Sequence, residues 1–300
     1  MILVWGSSDD PPVERVVEVL QSRDVDLVHV DDAALATMRF EVILGGKGLG
    51  GWIDVRGRTM QIDALEGFYL RPGKVGSDAS VKASTALLGI ASCTDAIVVN
   101  RPSAGRSNGS KPFQLRLIAE AGFAVPSTLV TTDPEAARAF LVEHGRIVYK
   151  SVSGVRSIVA TLRPTDAGRL ASVANGPVQF QRWIDGTDVR VHVVGDRWFA
   201  TEVRSEAEDY RYAARDGLVV VMESTEIPPT LGERLVGLTR RMGLIVSGID
   251  LRRTDRGEWV CLEVNPSPGF TAYEDATGQP IGEAIADLIV RSGSGLAPLP

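Results

Sequence analysis

A chain of 300 residues, 44% hydrophobic and 23% charged with mean hydropathy near zero, is long enough for two or three packed lobes and too apolar to be disordered. Its 38 acids and 32 bases leave a net charge of -6 and are mixed along the chain, which excludes the basic footprint of a nucleic-acid or anionic-membrane protein and points to small or peptidic partners. Two cysteines, Cys93 and Cys261, exclude a disulfide scaffold and a cysteine zinc site; with neither an ordinary signal sequence nor an apolar run of about 18 residues, the expected location is the cytoplasm.

In chain order, residues 2–5 predict a strand, 12–20 a helix with Val13, Val16, Val17 and Leu20 at helical spacing, and 26–30 a second strand, the opening of a small open sheet. Short β-prone runs at 52–55 and 68–70, a helix over 80–91 and a strand over 96–99 complete a first lobe, taken as 1–103. The polar run RPSAGRSNGS connects it to a second lobe, 104–185. That lobe is predicted as a helix over 112–121, a strand over 128–130, and a helix with Asp133 as N-cap, Pro134 at its first position and Gly145 as its stop. Strands at 147–151, 158–162 and 178–184 with a short helix near 165–173 follow. The third lobe, 186–300, reads as strands at 188–194 and 197–204, a helix over 230–242, two strands within 248–264 and a last helix over 281–291. The fold class is mixed α/β and α+β.

One of those last strands is anomalous. CLEVNPSPGF carries a glutamate between leucine and valine and ends on asparagine. Residues two apart share a face of a strand, so Glu263 and Asn265 go together, with Leu262 and Val264 on the buried side. Upstream, Asp255-Arg256-Gly257-Glu258 suits a hairpin; a two-residue loop at Arg256-Gly257 sets Asp250 directly opposite Glu263, whereas a four-residue loop would set it opposite Cys261. Opposed carboxylates destabilise a sheet unless neutralised, and an all-oxygen set of this kind suits magnesium, which in turn implies a nucleotide phosphate. A surface ladder in which Glu263 pairs with Arg252 or Arg253 is the bland alternative.

With these residues in place, GIDLRR followed by CLEVNPSPGFTAYEDATGQPI resembles the metal-binding signature of RimK-type carboxylate-amine ligases of the ATP-grasp superfamily. The likeness covers roughly residues 95–290 and extends to the ligases that cyclise graspetides. It implies an ATP-grasp fold preceded by a small open-sheet (pre-ATP-grasp) lobe. Asp250, Glu263 and Asn265 would hold magnesium, two ions with manganese as a substitute, and Lys111 and Lys150 would bind ATP. The backbone of Gln181, Arg182, Trp183 and Ile184 would read adenine and Asp188 would approach the ribose. Arg190, Arg204 and Arg211 would serve the phosphates or the acceptor carboxylate, and Arg252 either joins them as a catalytic residue or is an ordinary hairpin charge. The hinge here reads Gln181-Arg182 where relatives often have Gln-Glu, the loop after Lys150 has a single glycine, and GFYLRP resembles an arginine segment of the graspetide ligases with the second arginine replaced by Pro72 or shifted.

The chemistry implied is an ADP-forming ligation. A carboxylate becomes an acyl phosphate, which an amine or hydroxyl then attacks, driven by positioning and charge neutralisation. The expected partners are ATP and a peptide or amino-acid carboxylate with its nucleophile; no nucleic acid and no membrane are expected, and a homo-oligomer is compatible. A small-molecule amino-acid ligase and a non-catalytic ATP-binding regulator stand as alternatives. GGKGLGG has dinucleotide-fingerprint spacing but lacks the helix that must follow, so it reads as a turn; GRSNG lacks the strand a nucleophile elbow needs. His29, His144 and His192 show no metal spacing.

Overall fold

The computed structural model describes residues 1–45, 48–73, 76–152, 160–205 and 217–290. The aliphatic run at the start forms β1 (Ile2–Gly6), fully buried. It is followed by α1 (Pro11–Ser22), which begins on two prolines where the missing amide is one the helix would not use, and turns Val13, Val16, Val19 and Leu20 inward. Then come β2 (Leu27–Val30), α2 (Asp32–Thr37), β3 (Arg39–Gly45), β4 (Gly48–Val55), β5 (Arg58–Gln61), β6 (Gly67–Arg71), α3 (Asp78–Cys93) and β7 (Ile97–Val99). Strands β2-β1-β6-β7 make a parallel sheet and β3-β4-β5 an antiparallel one.

The GGKGLGG run, read as a turn, is strand at its described ends, with Gly45 of β3 paired to Gly48 of β4. Residues 46 and 47 lie outside the described residues, but Gly48 to Gly51 belong to β4, and a Cβ at Gly51 (φ +107) would lie 2.0 Å from the Glu41 carbonyl oxygen. Glycine there permits close strand approach, and because it carries no side chain it leaves no alternation to read.

After the first lobe the chain forms α4 (Lys111–Glu120), β8 (Thr128–Thr131), α5 (Pro134–His144), β9 (Ile147–Ser151), β10 (Ala160–Leu162) and β11 (Val178–Arg182), with strand order β10-β9-β11-β8. The predicted caps of α5 are present: the Asp133 side chain accepts from the Glu135 amide at 2.9 Å and Gly145 ends the helix at φ 71°. One face of this sheet packs Phe180, Ile147 and Leu162 against Ala137 and Leu141. By register, Lys150, Gln179 and Gln181 alternate onto the other. The connection expected over 101–110 carries a 3-10 helix, Pro102–Gly109, and the helix expected near 165–173 is a 3-10 helix as well, Pro164–Asn175.

The last sheet contains β12 (Thr187–Val194), β13 (Arg197–Ser205), β14 (Val220–Ser224), β15 (Val246–Arg253) and β16 (Trp259–Asn265), in the order β14-β13-β12-β15-β16, with α6 (Pro229–Arg241) on one face. Helix α4 packs here rather than on the four-stranded sheet, since Leu115 and Ile118 share a core with Val191, Ile249 and Leu235. Helices α7 (Thr271–Thr277) and α8 (Ile281–Val290) close the other face; Ile285 and Ile289 join Ile2, Val4 and Val16 to Val194 and Val246 in one cluster, which couples the first lobe to the last. Among the described residues no helix is long and apolar enough to cross a membrane.

Candidate functional site

The hairpin β15–β16 reaches the expected pairing by an unexpected route. Its turn is not the two-residue loop: Thr254 N–H donates to Glu258 O at 2.9 Å and Gly257, at φ 78°, closes the loop through its own N–H to Thr254 O at 2.9 Å. That turn pairs Arg253 with Trp259, Arg252 with Val260 and Leu251 with Cys261. Continued unchanged, this register would oppose Asp250 to Leu262 and send Glu263 to the far face. A bulge between Asp250 and Leu251 absorbs Leu262, so that Asp250 faces Glu263 and Gly248 faces Asn265. The bulge also corrects the predicted burial: Cys261 and Val264 enter the core and Leu262 is half-buried. Burial pushes the Cys261 thiol above its ordinary range, as does the negative charge of Asp250, so it is not a nucleophile.

Two cations neutralise the paired acids from within the chain. Lys111, at the first position of α4 and 8% exposed, donates from Nζ to Glu263 Oε1 at 3.0 Å, and Arg190 donates from Nη1 to Asp250 Oδ1 at 2.7 Å. The like-charge repulsion therefore does not by itself demand a metal. What the patch offers a cation is its donor chemistry: two carboxylates and the Asn265 amide oxygen, all hard oxygen ligands on one sheet face, fit magnesium better than zinc or a soft metal. Asn265 Oδ1 is oriented by the Ser267 amide at 2.9 Å. Among the described residues no cluster of three or more His, Cys, Asp or Glu occurs elsewhere to compete for a metal.

Gln114, one helical turn beyond Lys111, was not anticipated. Its side-chain amide donates to Val264 O at 2.7 Å and accepts from Val264 N–H at 3.0 Å, acting as a one-residue extension of the sheet at the edge strand β16. Lys111 and Gln114 thus grip neighbouring residues Glu263 and Val264 from one helix face, an i, i+3 spacing visible in the sequence. Gln114→Leu is expected to cost about 1–3 kcal/mol of stability by orphaning both backbone groups, measured by urea unfolding.

Around Arg190, His192 is fully buried, with Nε2 3.2 Å from Gly269 O and 3.4 Å from Arg190 Nε, and its ring meets Tyr273 edge-on at 4.9 Å. Desolvation first, then the Arg190 charge, hold its pKa well below the usual value, so it is neutral. It anchors the loop that follows Asn265, a loop also tied to the first lobe: Arg71 donates to Ser267 Oγ and Pro268 O, each at 2.9 Å.

The segment after β11 forms a second group. Strand β11 stops at Arg182, two residues earlier than expected, and Gly186 turns the chain at φ 142° where a Cβ would sit 2.2 Å from Arg253 O. The amides of Arg182 and Trp183 donate to Ser127 O and Arg146 O, at 2.9 and 3.1 Å, while the Ile184 N–H has no partner among the described residues. The guanidinium groups of Arg146 and Arg252 both lie over the Trp183 ring, 3.6 and 5.0 Å from its centre. Lys150 and Gln181, on one face of the four-stranded sheet, are 7% and 3% exposed.

Two of the four expected arginines, Arg252 and Arg204, take partners away from Asp250 and Glu263 among the described residues. Arg252 shares the face of Asp250 but binds Asp188 Oδ1 at 2.8 Å and Ile184 O at 2.9 Å, which makes it a brace of the hinge and occupies Asp188. Arg204 alternates onto the opposite face from Asp250 and pairs with Glu202 at 2.6 Å and Glu223 at 3.2 Å. Arg211 lies outside the described residues. Among the described residues, Arg190 is the expected arginine that reaches these acids, at Asp250.

The family model described as the RimK-like ATP-grasp domain matches residues 109–289 of this chain. A probable alpha-L-glutamate ligase of Aliivibrio salmonicida (strain LFI1238) is 30% identical over 207 residues, covering 65% of this chain and 68% of the relative. The ATP-grasp ligase PsnB, solved with a phosphomimetic variant of minimal precursor, Mg and ADP, superposes with a TM-score of 0.80 at 29% identity over 98% of each chain. PsnB solved with precursor peptide PsnA2 and AMPPNP gives a TM-score of 0.79 at 29% identity, covering 97% of this chain and 98% of that one.

Proposed function

The chain belongs to the RimK-like ATP-grasp family, and from that premise we propose that it is an ADP-forming ligase that joins a carboxylate to an amine or hydroxyl on a peptide. The observation carrying the reading is the convergence, on one sheet face, of Asp250, Glu263 and Asn265 with Lys111 and Arg190, drawn from four separate elements. No nucleophilic side chain is required. The γ-phosphoryl group of ATP passes to the substrate carboxylate, ADP leaves, the nucleophile attacks the acyl carbon, and phosphate departs with the bond formed.

In this reading Asp250, Glu263 and Asn265 hold magnesium, two ions replaceable by manganese, whose contribution is to neutralise the phosphate charge. Lys111 and Arg190 keep the paired carboxylates compatible before substrate arrives, and Lys111 can exchange its Glu263 contact for a phosphate oxygen as the charge in the site changes. The Ile184 N–H and the backbone around it read the adenine edge, and Lys150 supplies positive charge to the phosphates. Lys150→Ala is expected to weaken ATP binding by about 10- to 100-fold, the range for losing a charge-assisted contact, read by calorimetric titration; an unchanged affinity removes Lys150 from the site.

The peptide substrate is argued from the full-length likeness to PsnB, whose solved complexes hold a precursor peptide. The glutamate-ligase relative supports a second reading, addition of an amino acid to a peptide terminus. Incubation with ATP, magnesium and candidate peptides, with and without glutamate, separates them by mass: loss of one water marks an internal crosslink, and a glutamate-dependent gain marks terminal addition. ATP binding without ADP release in either arm defeats both.

A further inference from the structure

Gln179 is fully buried, and neither its amide nitrogen nor its amide oxygen has a hydrogen-bond partner among the described residues. A buried amide with both ends unsatisfied is costly, and a chain could relieve the cost by placing an aliphatic side chain there. The strand itself supplies the comparison: Gln181, two residues on and on the same face, spends its Nε2 on Thr128 Oγ1 at 3.1 Å. Nothing in the packing of β11 explains why Gln179 should be polar. Its core face is the other one, carrying Phe180.

Position suggests the use. Gln179 pairs across β9 with Lys150, whose side chain shares its face, and lies on the strand that leads into the hinge with the unpartnered Ile184 N–H. A side-chain amide presents one donor and one acceptor side by side. Adenine presents their complement on its N6–N7 edge, an amino donor beside a ring acceptor, whereas guanine offers two acceptors, O6 and N7, at the same place.

We propose that Gln179 is a base-selecting residue of the nucleotide site: its amide oxygen accepts from the adenine N6 amino group and its amide nitrogen donates to N7, so that the chain prefers adenine over guanine nucleotides. This deepens the ATP-ligase reading and rests on it. The residue also becomes one whose polarity opposes stability in the free chain and favours binding, an arrangement expected at functional positions.

The test uses the full chain and needs no turnover. ADP and GDP affinities are measured by calorimetric titration for the native sequence, Gln179→Met and Gln179→Leu, with thermal midpoints of the nucleotide-free proteins. The expected result is a higher midpoint in both variants, an ADP affinity lowered roughly 10- to 100-fold, the range for losing a bidentate base contact, and a GDP affinity changed little. Unchanged ADP affinity with the fold intact overturns the inference while leaving the ligase reading in place. A lowered midpoint in both variants also overturns it, because the amide would then be a structural member of the sheet. Failure of the native chain to bind ADP at all would instead sink the reading on which the inference stands.

Discussion

Glu263→Gln is expected to reduce ADP release by about 10²- to 10³-fold, the size of effect seen when one preorganised charge-stabilising group is removed from a reaction centre. The change keeps the side-chain volume and leaves the buried face of β16 untouched, because Cys261 and Val264, not Glu263, enter the core. What it removes is a carboxylate charge on which both Lys111 and the proposed cation depend. Lys111 is 8% exposed and sits 3.0 Å from Glu263 Oε1. Left with an amide oxygen, its ammonium keeps a hydrogen bond but loses its counter-charge, so folding stability should fall too, by about 1–3 kcal/mol. Two measurements separate these effects: urea unfolding, which should show a modest loss with a cooperative transition, and ADP release at a temperature well below that transition. An enzyme of full activity would end the assignment of this carboxylate. A double variant with Lys111→Met should recover stability without recovering activity, because it removes the stranded charge and does nothing for the phosphate.

The second large effect is steric. Gly248 lies opposite Asn265 on the same face as Asp250, and a methyl group there would come 2.0 Å from Arg190 Nη2 and 2.7 Å from Pro268 Cβ. The guanidinium can move away, being the end of a long side chain, but doing so takes it off Asp250 Oδ1, now 2.7 Å away, and off the His192 ring. Proline has no such freedom, and the loop that orients Asn265 through Ser267 would shift with it. Gly248→Ala should therefore destabilise by about 1–3 kcal/mol, the usual range for overpacking a filled site, and lower ADP release by roughly 10²-fold through displaced ligands. Arg190→Met in the same background tests the cause: with the guanidinium gone and only the Pro268 contact left, the added methyl should cost less stability than it does in the native chain. Equal costs in both backgrounds would place the strain elsewhere.

How the paired acids came to be legible is instructive. Asp250 opposite Glu263 was correctly expected, but from a two-residue turn that the hairpin does not have. The turn actually present would have put the acids on different faces, and the Leu262 bulge restores them. A bulge of this kind has no composition of its own, since Leu262 is an ordinary β-strand residue; it is chosen because Cys261 and Val264 must both reach the core of α4 and α6. For the same reason nothing in the residues around Arg252 and Arg204 tells which partners they take. Their partners, Asp188 and Ile184 for one and Glu202 and Glu223 for the other, are set by which strands neighbour which.

By itself the sequence determined the local matters. The capped α5 follows from Asp133, Pro134 and Gly145, and the oxygen-rich end of β16 from Glu263 and Asn265, because caps and strand alternation depend on residues a few positions apart. Family membership was legible too, since the motif run GIDLRR to LEVNPSPGF is contiguous. The tertiary structure alone decided that Lys111 meets Glu263 across 152 positions, that Gln114 closes the edge of β16 across 150, and that Gln179 is left with an amide nothing in its strand can satisfy. Such contacts arise from sheet order and helix docking, where the free energy of burying whole faces outweighs any signal that a single side chain writes into its own neighbourhood.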